Sequence, residues 1–356
     1  MRLDFIRPLY DRPGPYASVY LDTERSNEGQ ANVVQRRWAM LRDRLAAAGA
    51  PARVLDPIGE LVLDPWMVAP GRVVFAAGDE IVFHHPLSAP PRRQTARWSP
   101  LPHVVPLLAQ RGEPVPHIRV LADRMGAELT VFRNGSRRTE TVEAVEEWPI
   151  QKTGHGGWSQ TRYERDVEEV WRRNAVAVAE VVDKETQGSA AEVVVLGGDP
   201  RARGLVLECL CKDTARKVTT SEHGSRAAGA DLRNFEADVQ RACAAWVERC
   251  RTALLEAHAA GPYAIGLQET ARALRDARVR TLLLHDDPSS TATMWVGPEP
   301  TQLSTDRAEL SAWGVAEPFE ERVDSALARA VAGTDADFWF VDHLPSPDGI
   351  GAVLRF

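Results

Sequence analysis

Apolar residues recur along this chain with two spacings, and the switches between them mark out its elements. Tyr16–Asp22 (YASVYLD) carries the pattern of a strand. Between Glu28 and Ala48, residues Val33, Val34, Trp38, Leu41 and Leu45 gather near one side of a 3.6-residue period, which predicts a helix. RVVFAA and EIVFHH flank Gly78–Asp79, the clearest hairpin signal in the chain. A stretch rich in Pro and Arg follows, and its end near Gly112–Pro116 reads as a boundary. Residues 1–116 are therefore expected to form an N-terminal α/β domain.

Residues 117–260 read as a second domain. HIRVLADRMGAELTVFRNGSRRTETVEA predicts two strands about a Gly turn and a third after Asn134–Gly135. A glycine-rich loop and a long helix come next. Ala191–Gly198 is a strand of the fully buried kind, and Arg201–Asp213 a helix behind it. Val239, Cys243, Trp246, Cys250 and Leu254 recur at helical spacing in a helix from about Leu232 to Ala259. Strands first, then strand alternating with helix, fit a mixed sheet covered by helices. A third α/β domain is expected over 261–356, opened by the helix AIGLQETARALRDAR and the strand RTLLLHDD.

Composition adds exclusions. The 356 residues are 44% hydrophobic and 26% charged, with 25 Gly and 24 Pro, which is globular and neither collagen-like nor disordered. No apolar run reaches the roughly 18 residues of a membrane span, and the first residues lack a signal-peptide core. Four Cys are too few for a disulfide framework, so a reducing, cytoplasmic setting is expected. The net charge of −7 argues against a simple nucleic-acid binder, but its distribution matters. Residues 262–356 carry eight Arg, no Lys and 15 acidic residues, so all the excess negative charge lies there. Such asymmetry suggests modules with different partners.

The stretch richest in chemistry runs from Gln151 to Glu185. Gly154, Gly156 and Gly157 enclose His155, and Trp158 and Ser159 follow. A loop so poor in packing side chains brings backbone close to a ligand or adopts positive φ. A helix then begins, with Ser159 or Thr161 as N-cap. Tyr163, Val167, Val170, Trp171, Asn174, Val178 and Val181 fall on one face, with Arg162, Arg165, Arg172 and Arg173 nearly opposite. Glu164, Asp166, Glu168 and Glu169 alternate with these Arg, so a salt-bridged solvent face competes with a polyanion-binding one.

GHGGWSQTRYERDVEEVWRRN resembles the loop-and-helix signature of the archaeal and eukaryotic class-1 peptide release factors and their Pelota relatives. Gly156 and Gly157 match the two glycines of the family's Gly-Gly-Gln; Trp158 stands where the Gln belongs, and Gln160 lies two residues on. Tyr263–Asp287 is similar to the start of the release-factor third domain. The resemblance is nearest to the actinobacterial, Balon-like ribosome hibernation factors. It implies three α/β domains, the middle one RNase H-like with a Gly-rich tip. It implies a cytoplasmic protein that occupies the A site and peptidyl transferase centre of idle or stalled 70S ribosomes. Lys152, Arg162, Arg165, Arg172 and Arg173 would then meet rRNA or tRNA phosphates. The acidic third domain would meet a protein, either a ribosomal protein or a translational GTPase such as EF-Tu. No Asn-Ile-Lys-Ser loop occurs in residues 1–116, so stop-codon decoding is not expected. The alternative is rescue or release, with Gln160 catalytic in peptidyl-tRNA hydrolysis.

Other constellations weigh less. Asp123 and Asp199 are two acids where an RNase H-type two-metal nuclease needs about four. LGGDPRARG suits a tight strand-to-helix turn better than a phosphate loop. The Cys and His lack zinc spacing, and neither metal nor cofactor is expected. Arg92, Arg93 and Arg97 either touch RNA or lie over their own domain.

Overall fold

The fold is α/β, with four sheets among the described residues. A computed structural model describes the backbone of residues 1–24, 31–133, 135–143 and 159–356, and the side chains of all these except 31–32 and 159–167. The chain forms two compact units, residues 1–112 with 253–356, and residues 113–252.

The first segment contains β1 (Tyr16–Asp22), α1 (Ala31–Ala47), α2 (Ala52–Leu63), β2 (Gly71–Ala77), β3 (Glu80–Leu87), β4 (Thr95–Ser99) and α3 (Val105–Arg111). Its antiparallel sheet has the order β3-β2-β1-β4. Alternation along β1 sends Ala17, Val19 and Leu21 toward α1 and α2, where Trp38, Leu41, Leu45 and Ile58 bury them. Gly59 makes this closeness possible: a Cβ there would sit 2.9 Å from Nε1 of Trp38. Pro57 inside α2 and Pro106 at the start of α3 disguise both helices in the sequence.

The 113–252 unit contains β5 (His117–Asp123), β6 (Gly126–Arg133), β7 (Ser136–Glu143), α4 (Ser159–Ser189), β8 (Val193–Gly198), α5 (Pro200–Cys209), α6 (Lys212–Ala215), β9 (Val218–Thr220) and the larger part of α7 (Arg233–Ala260). The sheet order is β7-β6-β5-β8-β9. β7, β6 and β5 are antiparallel, while β8 and β9 run parallel to β5. One face buries Ile118, Val120, Leu129 and Val131 under α4 and α5. The other buries Leu121, Val193 and Val195 against Phe235 and Val239 of α7. The helix expected over Arg201–Asp213 is broken, because Leu210 is extended and the Cys211 thiol restarts it by accepting from Thr214 N.

The last segment contains β10 (Tyr263–Ile265), α8 (Gly266–Arg275), β11 (Val279–His285), β12 (Thr293–Val296), β13 (Leu303–Ser304), α9 (Arg307–Ala312), β14 (Phe319–Arg322), α10 (Val323–Thr334), β15 (Asp337–Val341) and β16 (Ile350–Leu354). One sheet has the order β10-β16-β11-β15, with β11 and β15 parallel; a second has the order β13-β12-β14. First and last segments share a core. Leu3, Ile6, Leu9, Phe75 and Leu108 pack in one cluster with Leu274, Leu282, Leu327, Val331 and Phe338. Phe338 N donates to Met1 O at 2.9 Å, which extends the joint to the backbone. Among the described residues, no helix is long and apolar enough to cross a membrane.

Candidate functional site

Of the candidate residues, Ser159, Gln160, Arg162, Arg165, Arg172 and Arg173 lie on α4. Lys152, Gly154, His155, Gly156, Gly157 and Trp158 lie outside the described residues. Ser159, Gln160, Arg162 and Arg165 lie on α4 with their side chains outside them. Arg172 and Arg173 are described, and both are exposed. Ala175, Val178, Ala179 and Val182 form the buried stripe that seats the helix on the sheet. The helix therefore has the two-faced character its sequence predicts, with a pair of arginines turned to solvent.

Side chains of the β5–β6 turn and of α5 hold α4 in place. The Arg124 guanidinium stands 4.4 Å over the ring of Trp171, a cation–π contact. Nδ2 of the buried Asn174 donates to Arg124 O at 3.0 Å. Arg124 Nε lies 3.5 Å from Asp199, and Arg201 pairs with Glu168. The Arg124–Trp171 contact has no sequence signal, since 47 positions separate residues that only the fold brings together.

Asp123 and Asp199, the two acids considered for a metal-dependent nuclease, have structural partners. Asp199 caps α5 by accepting from the amides of Arg201 and Ala202, each at 3.0 Å. Asp123 accepts from Met125 N and from Arg226, each at 2.8 Å. Among the described residues, no group of three or more His, Cys, Asp or Glu could hold a metal. LGGDPRARG is a tight turn: Gly198 has φ +107, and a Cβ there would fall 2.0 Å from Ala122 O. All four Cys are free and half-buried, and burial pushes the Cys243 and Cys250 thiols up, away from reactive thiolates.

Ser221, His223 and Asp238 form a set that sequence reading missed. The Ser221 hydroxyl donates to the Asp238 carboxylate, and His223 Nδ1 meets the same oxygen at 3.0 Å. His223, then Ser221, hold that carboxyl below the usual range. The hydroxyl and the imidazole both address the carboxylate rather than each other, so the imidazole is not placed to activate the hydroxyl. The set fastens the loop after β9 to α7.

Unit 1 contains a cleft of about 1020 Å³ at the carboxyl ends of β11 and β15. Arg92, Arg93 and Arg97 reach it from the first segment and are engaged there by the last. Arg92 pairs with Asp286 at 2.9 Å, Arg93 donates to Pro288 O at 3.4 Å, and Arg97 pairs with Glu321 at 3.2 Å. Their partners thus belong to the last segment rather than to residues 1–116. Arg322 forks onto Asp324 with bonds of 3.0 and 2.5 Å. Burial lowers the His103 imidazole to about 4, although Asp324 lies 3.8 Å away and pulls it upward. Three arginines of this cleft, Arg92, Arg97 and Arg322, are thus paired with Asp286, Glu321 and Asp324.

Residues 116–262 match the model of bacterial archaeo-eukaryotic release factor family 2. The chain is 28% identical over 372 residues to the uncharacterized protein Rv2629 of Mycobacterium tuberculosis strain H37Rv, covering 100% of this chain and 97% of that protein. Among solved structures, the archaeal translation termination factor aRF1 is similar at 14% identity and a TM-score of 0.25, covering 99% of this chain and 96% of that one. A model of ribosome-bound archaeal Pelota with ABCE1 is similar at 13% identity and a TM-score of 0.37, covering 99% and 94%. At these scores no position is carried from one structure to the other.

Proposed function

We propose that this chain, whose residues 116–262 match the model of bacterial archaeo-eukaryotic release factor family 2, is a cytoplasmic translation factor that binds the 70S ribosome. The family match over 116–262 carries this reading. It is supported by a helix that turns Arg172 and Arg173 to solvent just beyond a glycine-rich sequence, a form suited to RNA phosphates. The middle domain, taken as 117–260, would enter the A site and direct Gly154–Ser159 toward the peptidyl transferase centre. Lys152, Arg162, Arg165, Arg172 and Arg173 would neutralise rRNA or tRNA phosphates.

We favour occupancy of idle or stalled ribosomes, as in hibernation, over hydrolysis. Trp158 holds the place of the family's Gln, and an indole stacks on a base but activates no water. The second reading, rescue by peptidyl-tRNA hydrolysis, is favoured by Gln160 alone. The acidic residues 262–356 repel RNA, so a protein is the fitting partner there, with a translational GTPase such as EF-Tu as the candidate.

The test is a single assay on ribosomes carrying peptidyl-tRNA. Occupancy requires binding without release of peptide. Release that Gln160→Ala abolishes would replace occupancy by catalysis. An unaltered chain that fails to sediment with ribosomes at low salt would remove both.

A further inference from the structure

The connection between α2 and β2 carries the two most exposed large hydrophobic side chains described. Trp66 is 90% exposed and Val68 82%, and Leu63, at the end of α2, is 37% exposed. Apolar side chains scattered singly over a surface are ordinary, but three within six residues form a patch. Nothing in the folding of unit 1 calls for an indole in water, which forgoes the burial that normally stabilises a fold.

The loop that bears them is well tied. Asp64 accepts from Trp66 N at 2.9 Å, and Trp66 O accepts from Val68 N at 3.1 Å. Arg72 donates to Met67 O at 2.6 Å from a position only 3% exposed. Thr23 fixes the far side, its hydroxyl on Ala69 O at 2.8 Å and its amide on Pro70 O at 3.1 Å. A loop held this way presents Trp66 in one place and leaves little ordering entropy to be lost on association. Trp is among the residues most enriched at interface hot spots.

The charges around it select the partner. Glu60 is exposed one turn before the loop, and Glu24 is exposed beside Thr23. Two described cations nearby are engaged, Arg37 by Asp22 at 2.9 Å and Arg72 by the loop itself. Among the described residues the exposed charges here are carboxylates, which repel RNA phosphate and suit a basic protein surface. We propose that Trp66 and Val68 insert into an apolar pocket, rimmed by basic side chains, on a protein component of the ribosome. The inference rests on the ribosome-binding reading above and assigns that reading a second contact, separate from α4.

Co-sedimentation of the full chain with purified 70S ribosomes tests it. Trp66→Ala should weaken apparent binding about tenfold and Trp66→Phe less than about threefold, as for an aromatic anchor. Both should keep the thermal midpoint of the unaltered chain, since the side chain is 90% exposed. A benzophenone amino acid replacing Trp66 should form adducts with a ribosomal protein. Equal binding by Trp66→Ala overturns the inference and leaves the ribosome reading standing. Adducts confined to rRNA overturn the protein pocket. If the unaltered chain does not bind ribosomes, the parent reading fails and this one falls with it.

Discussion

Nη2 of Arg97 lies 3.2 Å from Oε1 of Glu321, a carboxylate whose side chain has 0% exposure. The same group accepts from Leu101 N at 3.0 Å and from Arg322 N at 2.8 Å. A buried carboxylate is tolerated only when paired and fully hydrogen-bonded, and here two of its three donors come from a segment 220 or more positions away. Glu321 thereby pins β4 and the turn after it to β14.

Glu321→Ala should therefore destabilise unit 1 by about 3 kcal/mol, because it strands Leu101 N and leaves Arg97 without its anion. Glu321→Gln should lose less, since the amide oxygen still accepts. Urea denaturation of each variant gives the values. A loss below about 1 kcal/mol for Glu321→Ala would place the join between segments in apolar packing alone.

Two glycines in consecutive elements of the other unit should respond oppositely to the same substitution. Gly198 has φ +107, and a Cβ would meet Ala122 O at 2.0 Å, backbone that cannot swing aside. Gly198→Ala should cost several kcal/mol or prevent folding. Gly204, within α5, has nothing within 4 Å of its Cβ position. Gly204→Ala should stabilise by about 1 kcal/mol through helix propensity. Thermal melts of the two variants check the contrast, and equal effects would contradict the turn geometry.

Much of this fold is legible where neighbours in sequence are neighbours in space. β1, the β2–β3 hairpin, the β5–β7 run and α7 follow from local period and turn chemistry. α2 and α3 are hidden by Pro57 and Pro106, which fit an amphipathic turn once packing supports it. The core shared by the first and last segments is not legible, because Arg97 and Glu321 are 224 positions apart and no local signal joins them. At the candidate site, the exposure of Arg172 and Arg173 is readable from helical period and charge. The stacking of Arg124 on Trp171 is not, since Trp171 reads as an ordinary member of the apolar stripe. Trp66 escapes for the same reason: an apolar letter in a sequence says nothing about whether a neighbour covers it.

His103 supplies a pH dependence. Burial lowers its imidazole from the usual 6.5 to about 4; Asp324 opposes this, and Arg322 and Arg97 add to it. Protons are thus bound more readily by the unfolded chain between these values. The stability associated with a neutral His103 is complete above about pH 6.5 and declines as pH falls toward about 4, by about 3 kcal/mol in all. Burial alone would raise Asp324, but its bonds to Arg322 and the nearby His103 hold it below the usual range, so its own loss comes at lower pH. His103→Gln should flatten the stability profile between about pH 6.5 and about pH 4.5, measured by urea unfolding at both ends. An unchanged slope would mean that the imidazole reaches water in the folded state.

Arg172 and Arg173 test the RNA contact by its salt dependence rather than its strength. Each arginine that displaces counterions from phosphate adds roughly 0.7–0.9 to the slope of log K against log salt. Replacing both by Ala should lower that slope by about 1.5 for ribosome binding, with little effect on folding because both are exposed. If the slope does not move, the two side chains serve only helix-surface pairs of the kind that Glu168 and Glu169 offer one turn away. Trp66→Ala gives the complementary signature, since an apolar anchor releases no counterions: affinity should drop at every salt concentration while the slope stays that of the unaltered chain. Opposite patterns in the two variants would assign the charge-dependent part of binding to α4 and the charge-independent part to the α2–β2 loop.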